Sequence, residues 1–408
     1  MSAPAYPFTL EINPLADRAA PFGPDEAAIL NDEAYELART TISAWPGYAP
    51  TPLVALPGIA AAIGVSSIHY KDEATRFGLG SFKALGGAYA VCRLLQRLVA
   101  ERTGTEPTVA DLVAGRHPGI VGDITVCCAT DGNHGRSVAW GARAFGCTCV
   151  IFIHATVSDA RRQAIEAFGA EVVRTPGNYD DSVHAAQETA VRQGWFVVSD
   201  TSYEGYTEIP KDVMQGYELM AAEALDQWTD PEPVTHVILQ TGVGGMAAAV
   251  AACVWRRFGA RRPAIVLADP LRSACWLESI RAGRPTAVTG DLDTMMAGLA
   301  CGEVSILAWT ILKHAADAVI AIDDDVAVDC MRLMARGRYG DRPVVAGESA
   351  VAGLAALLAV AGDRTARASL RIDARSRILL FGTEGDTDPA LYRELVGRSA
   401  EDVRSIAP

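Results

Sequence analysis

From Leu53 onward, short apolar runs alternate with longer Ala-rich runs. The short runs predict strands over 67–70, 124–128, 148–153, 171–175, 196–199, 234–240, 264–268, 318–322 and 378–381. Each is apolar along most of its length, the pattern of a strand buried on both faces. The longer runs predict helices over 82–99, 135–145, 159–168, 180–192, 209–227, 246–258, 325–338, 349–361 and 389–396. Regular alternation of this kind predicts an α/β chain whose mainly parallel sheets are covered by helices. The first fifty residues, rich in Pro and small side chains, read as a lead-in arm with one helix over 25–44. The Gly-, Pro- and Thr-rich stretch 104–122 reads as an excursion between a helix and the next strand.

Composition narrows the class. A length of 408 residues gives two or three domains and an ample core. With 50% hydrophobic and 21% charged residues the chain is globular. The net charge is −13 and no basic run exceeds two residues, which argues against a nucleic-acid partner. The start, MSAPAYPFTLEINPLADR, lacks a basic region followed by an apolar core, so no secretory leader is expected. The longest apolar run, 351–362, is too short to span a membrane. Nine scattered cysteines with no CxxC predict no metal site and a reducing, cytoplasmic setting. Cys275 and Cys301 accordingly read as buried thiols, not as a bridge.

One count bears on chemistry. Only four of the 36 basic residues are lysines: Lys71, Lys83, Lys211 and Lys313. A covalent imine to a carbonyl cofactor needs a lysine amine, which arginine cannot replace. Lys211 and Lys313 read as surface positions on helices. Lys71 ends an apolar run before Asp72 and Glu73, so a local ion pair is the simplest expectation. Lys83 lies in GLGSFKALGGAYA, after a glycine-rich turn and at the start of an apolar helix. Desolvation beside a helix N-terminus would depress its amine pKa, as a nucleophile requires, although surface lysines are the commoner case.

Four further segments follow predicted strands, where ligands of open parallel sheets sit. In CCATDGNHGRSVAWGARAFG, Thr130, Asp131, Gly132, Asn133 and His134 form the turn into a helix. Asp131 is either an acid/base group or a helix cap. In ILQTGVGGMAAAV, the amides around Gly242, Val243, Gly244 and Gly245 are suited to a phosphate. The same Gly242-x-Gly244-x-x-Ala247 pattern, with Asp269 ending the next strand, also fits a loose dinucleotide fingerprint. An NAD-linked oxidoreductase is therefore the rival from another class. DTSYEGYTEIP carries Asp200, and FGTEGDTDPALYRE carries Thr383.

Together these segments resemble fold type II pyridoxal-phosphate enzymes, the serine/threonine dehydratase and tryptophan synthase β group. KDEATRFGLGSFKALGGAYA, TDGNHGRSVAWGARAFG, DTSYEGYTEIPKDVMQGY, QTGVGGMAAAV, MMAGLACGE and TEGDTDPALYRE are most similar to the diaminopropionate ammonia-lyase branch. The resemblance implies two domains, each with a mainly parallel sheet covered by helices: a large cofactor domain over 1–88 and 205–408, and a small domain over 89–204. It implies pyridoxal 5'-phosphate as cofactor, a small amino acid as substrate and a homodimer. Lys83 would form the internal aldimine and act as a base at Cα. Asn133 would bond the pyridoxal phenolic oxygen, Gly242, Val243, Gly244 and Gly245 would cradle the phosphate, and Thr383 would face the pyridine nitrogen. Asp131 would be the second base on the opposite face, and Asp200 would bind substrate amino groups or steer protons. Ser81, Thr130, Gly132 and His134 complete the implied substrate contacts. The implied reaction is β-elimination of D- or L-2,3-diaminopropionate to pyruvate and two ammonia. Dehydration of serine, threonine or another 3-hydroxy amino acid is the alternative within the same chemistry.

Overall fold

The computed structural model describes residues 6–130, 132–177 and 179–406. Among them, eleven strands run in chain order: β1 (Phe8–Ile12), β2 (Leu53–Ala55), β3 (Ser67–Asp72), β4 (Thr125–Ala129), β5 (Thr148–Ile153), β6 (Glu171–Arg174), β7 (Phe196–Val197), β8 (His236–Gln240), β9 (Ala264–Pro270), β10 (Ala318–Ile322) and β11 (Arg377–Gly382). All nine strands expected from the apolar runs form, with ends shifted by a few residues.

The chain divides into two compact units. One comprises Met1–Ile29, Pro50–Gly80 and Met220–Pro408, and the other Leu30–Ala49 and Ser81–Leu219. The first holds a seven-stranded sheet in the order β1-β10-β9-β8-β11-β3-β2. Its inner strands pair in parallel. Every residue of β8 and β10 is buried. The helix Ala352–Ala361, AGLAALLAVA, packs into the same core and is apolar nearly all round, as a helix enclosed by its neighbours must be. The second unit holds a four-stranded, all-parallel sheet in the order β6-β5-β4-β7.

Two strands go beyond the sequence reading. β1 and β2 pair antiparallel at the two edges of the larger sheet. An edge strand buries less surface, and β1 (FTLEI) mixes polar with apolar residues, ending at Ile12 with 47% exposure. The wholly apolar signature of the inner strands is therefore missing from β1, and β2 (LVA) is only three residues long. The helix expected over 25–44 is two helices, Pro24–Ala27 and Asp32–Ser43. Asn31 is extended and its side chain accepts the Ala34 amide, so an N-cap restarts the helix there. The excursion over 104–122 contains two short helices, Val109–Val113 and Pro118–Val121. The first is set by a Thr108–Asp111 capping box.

Lys71 differs from the expected local ion pair with Asp72 and Glu73, because its direct carboxylate partner is distant in sequence. Its side chain has no solvent exposure, and Nζ donates to Glu223 (2.7 Å), Gln227 (2.9 Å) and the Thr51 carbonyl (2.6 Å). Asp72 instead accepts the Ala74 amide. Arg76 joins the same cluster. Its guanidinium bonds both oxygens of Glu73 and both oxygens of Glu223 at 2.7–2.9 Å. Two cations thus meet two anions in the interior. Burial pulls the Lys71 amine below its ordinary value, and the Glu223 and Glu73 carboxylates oppose that pull.

Removing one charged member leaves the buried charges unbalanced. Glu223→Gln should destabilise the protein by about 3–5 kcal/mol, read as a lower denaturant midpoint. The exposed Lys211–Glu208 pair is the control, because Lys211→Met should change stability by less than about 1 kcal/mol.

Candidate active site

In the four-stranded unit, Lys83 occupies the N-cap position of the helix Ala84–Thr103. The apolar run that follows buries this helix along most of its length, so its first residue is fixed firmly. Two glycines after Lys83 let other elements approach. A Cβ on Gly86 would lie 2.4 Å from the Tyr217 ring, and one on Gly87 would lie 2.0 Å from Ser137 Oγ. Tyr217 therefore packs beside Lys83, with its ring 4.6 Å from that of Phe82. Lys83 Nζ lies 5.2 Å from the Phe82 ring centre and 5.9 Å from that of Tyr217, within cation–π range.

The Lys83 amine donates to Asp200 Oδ2 at 2.5 Å. Both side chains are largely covered, with 19% and 17% exposure. Burial alone would raise the Asp200 carboxyl. The Lys83 ammonium, the adjacent His134 and the hydrogen bond from Lys83 outweigh burial and hold the carboxyl well below the usual carboxylate range. His134 Nε2 lies 2.8 Å from the Val198 carbonyl, and Nδ1 lies 3.7 Å from Asp200. Burial lowers the His134 pKa, so the ring is neutral near pH 7. Nε2 then donates to Val198, and Nδ1 presents a lone pair.

The turn before the helix Asn133–Phe145 supplies the remaining residues of this unit. Thr130 is buried, and its hydroxyl accepts the amides of Gly132 (3.0 Å) and Gly135 (3.1 Å). Gly132 has φ +151°, a backbone that other residues rarely adopt. Asn133 opens the helix and accepts from Arg136 at 3.2 Å. Ser81 is buried. Asp131 lies outside the described residues. This unit thus brings Lys83, Asp200 and His134 into direct proximity, with Thr130, Gly132 and Asn133 on the turn that carries His134.

In the seven-stranded unit, β8 runs into Thr241, Gly242, Val243 and Gly244, and the helix Gly245–Phe258 follows. Cβ atoms would not fit here. One on Gly242 would lie 3.0 Å from Cys301 Sγ, and one on Gly244, at φ +95°, would lie 2.2 Å from the Trp276 ring. A tight glycine turn ending on a helix N-terminus offers backbone N–H groups to an anion. Thr383 follows β11, buried, and its hydroxyl accepts from Gln240 Nε2 at 3.0 Å. A neutral hydroxyl with a free lone pair or proton suits an uncharged ring nitrogen. An amine able to form an imine and an amide-lined turn able to hold a phosphate are what pyridoxal phosphate requires, so the residues fit this group.

The dinucleotide reading does not survive. A ribose needs an accessible acid after the next strand. Asp269 is fully buried, and its carboxylate accepts the Thr241 hydroxyl and the backbone amides of Trp276 and Leu277. Burial pushes its pKa up to about 7 against those three donors. Neither Cys275 nor Cys301 forms a disulfide, nor do the other seven cysteines. Among the described residues no cluster of His, Cys, Asp and Glu is arranged to hold a metal. No helix of the described residues is long and apolar enough to cross a membrane.

Comparison with known proteins follows the same line. Residues 44–381 match the family model for pyridoxal-phosphate dependent enzymes. The chain belongs to that family. It is 40% identical to a diaminopropionate ammonia-lyase of Salmonella typhimurium over 87% of this chain and 90% of that one. It is 37% identical to a diaminopropionate ammonia-lyase of Escherichia coli K12 over 98% and 99% of the two chains. A crystal structure of the E. coli diaminopropionate ammonia-lyase with D-serine superposes with a TM-score of 0.88 at 35% identity, covering 98% of this chain and all of that one. Another, with an aminoacrylate-PLP azomethine intermediate, gives 0.85 at 35% identity, covering 97% and 98%. The fold is thus fold type II, and the cofactor of the family is pyridoxal phosphate.

Three residues beside these groups escape sequence reasoning: Tyr217, Asp269 in any role but the dinucleotide one, and Trp276. Tyr217 lies 134 positions from Lys83, and its only signal is the small residue at Gly86 that makes room for it.

The Lys83–Asp200 pair makes acid stability testable. Because the folded pKa of Asp200 lies below its unfolded value, the pair contributes fully above the unfolded pKa of about 3.9 and is lost as pH falls through the folded value. In the cofactor-free protein, denaturant midpoints measured from pH 5 to pH 2.5 should fall more steeply for the parent than for Asp200→Asn.

Proposed function

We propose that the chain eliminates ammonia from 2,3-diaminopropionate, so that with one water the products are pyruvate and two ammonia. The observation that carries this reading is the Lys83 amine held on the ionised Asp200, in a chain similar over nearly its full length to two ammonia-lyases of that substrate. Bound pyridoxal phosphate supplies the electron sink that acidifies the Cα proton. The rest falls to the chain's own residues.

Lys83 Nζ tethers the cofactor and exchanges the Cα proton on one face. Asp131 serves the opposite face, which lets both enantiomers be deprotonated. Asp200 attracts the second amino group of the substrate and keeps it protonated, the only form in which an amine leaves readily. A site with the ionised Asp200 carboxylate and a neutral His134 selects a substrate bearing two ammonium groups over one bearing a hydroxyl. Asn133 bonds the phenolic oxygen, Thr383 faces the ring nitrogen, and the backbone of Gly242, Val243, Gly244 and Gly245 holds the phosphate. Ser81, Thr130, Gly132 and His134 line the substrate side. The reading extends to a cytoplasmic homodimer. Free thiols at all nine cysteines agree with a reducing compartment, and the resemblance to the branch supplies the dimer.

A second reading, dehydration of a 3-hydroxy amino acid, is favoured by the D-serine held in the E. coli relative. Pyruvate release from D- and L-2,3-diaminopropionate, compared with that from both serine enantiomers, decides between them. Faster turnover of diaminopropionate is expected, and faster turnover of serine would overturn the proposal. Lys83→Ala should lose both the visible cofactor band and turnover. Asp131→Asn should slow one diaminopropionate enantiomer by about 100- to 10,000-fold while largely sparing the other, measured as kcat/KM for each.

A further inference from the structure

The glycine loop after β8 is anchored from behind. Trp276 is fully buried, and its indole Nε1 donates to the Gly242 carbonyl at 3.0 Å. The next carbonyl, Val243, accepts the Ser305 amide at 2.9 Å. A planar trans peptide points its N–H opposite to its C=O. The tethered carbonyls therefore turn the Val243 N–H away from Trp276 and the Gly244 N–H away from Ser305, which leaves both amides to face an anion. The Trp276 ring fills the space a side chain on Gly244 would occupy.

Trp276 is itself held. It lies in the first turn of the helix Cys275–Ala282, and Asp269 Oδ2 accepts the amides of Trp276 and Leu277 at 3.0 Å each. Asp269 Oδ1 accepts the hydroxyl of Thr241, the first residue of the loop. One carboxylate thus grips both the loop and the helix whose indole steadies it.

We propose that Trp276, seated by Asp269, is a positioning residue that aims the Val243 and Gly244 amides at the cofactor phosphate. This rests on the assignment of the loop as the phosphate site. It requires that Trp276 act on the phosphate selectively, with no effect on the amine chemistry of Lys83.

Trp276→Phe keeps an aromatic ring at this position and removes the indole N–H together with the five-membered part of the ring. The test measures release from the full-length holoenzyme, and rebinding by absorbance, for pyridoxal phosphate and for pyridoxal, which lacks the phosphate. The variant should bind pyridoxal phosphate about two- to tenfold more weakly, the worth of one neutral hydrogen bond, and pyridoxal unchanged. kcat at saturating cofactor should stay within about twofold of the parent. Asp269→Asn should shift in the same direction, and the ³¹P resonance of the bound cofactor should move in both variants. Equal weakening for the two ligands would mean a merely structural defect and would overturn the proposal, as would unchanged binding of both. If the parent binds pyridoxal phosphate no more tightly than pyridoxal, the phosphate assignment of the loop itself fails, an outcome distinct from failure of Trp276 alone.

Discussion

The arrangement depends on parallel pairing of strands buried on both faces. Such strands cannot be joined by tight turns, so each crossover must return over the sheet, and the loops after the strands gather along the carboxyl edge. In the seven-stranded unit this edge carries the glycine loop after β8, Asp269 at the end of β9, and Thr383 after β11. In the four-stranded unit it carries Thr130 and His134 after β4, and Asp200 just beyond β7. Lys83 is the exception: it follows no strand and enters on the first residue of a buried helix. Its rigidity comes from helix packing, with Gly86 and Gly87 admitting Tyr217 and Ser137.

Much of this was legible because burial leaves a local trace. A strand covered on both faces must be apolar along its length, and all nine such runs became strands. β1 passed unread because it mixes polar with apolar residues, and β2 because it is only three residues long, whereas the edge strands β6 and β7 were read. The helix over 25–44 was read as one because apolar spacing carries across Asn31, whereas the cap depends on a single side chain. The turns and helix starts that carry Lys83, Asn133 and the glycine loop were legible because they rest on short-range patterns of glycine, turn and helix start. Trp276 and Asp269 were not, because their work is done across 7 to 34 positions by hydrogen bonds to backbone, which any sequence could host.

The buried cluster of Lys71, Glu73, Arg76 and Glu223 shows the same limit from the other side. Sequence proximity suggested Lys71 with Asp72, but Lys71 found a carboxylate 152 positions away. Burying four charges brings little net stability over an apolar packing of the same volume. It does make the alternative pairings costly, since any misplacement of the segment around Thr51, the end of β3 or the helix carrying Glu223 leaves a naked charge inside. The cluster also fixes Arg76, one residue before Phe77, which lies in the left-handed region at φ +51°.

Sealing Lys71 has a practical side for a chain so poor in lysine. Amine-directed reagents meet few lysine targets: Lys71 is closed to solvent and Lys83 is largely covered, which leaves Lys211 and Lys313 among the lysines, beside a terminal amine. Coupling to an activated support would thus hold the molecule by a few points, away from the Lys83 nitrogen. The rest of its positive charge resides on guanidinium groups, which keep their protons in the alkaline buffers such couplings use.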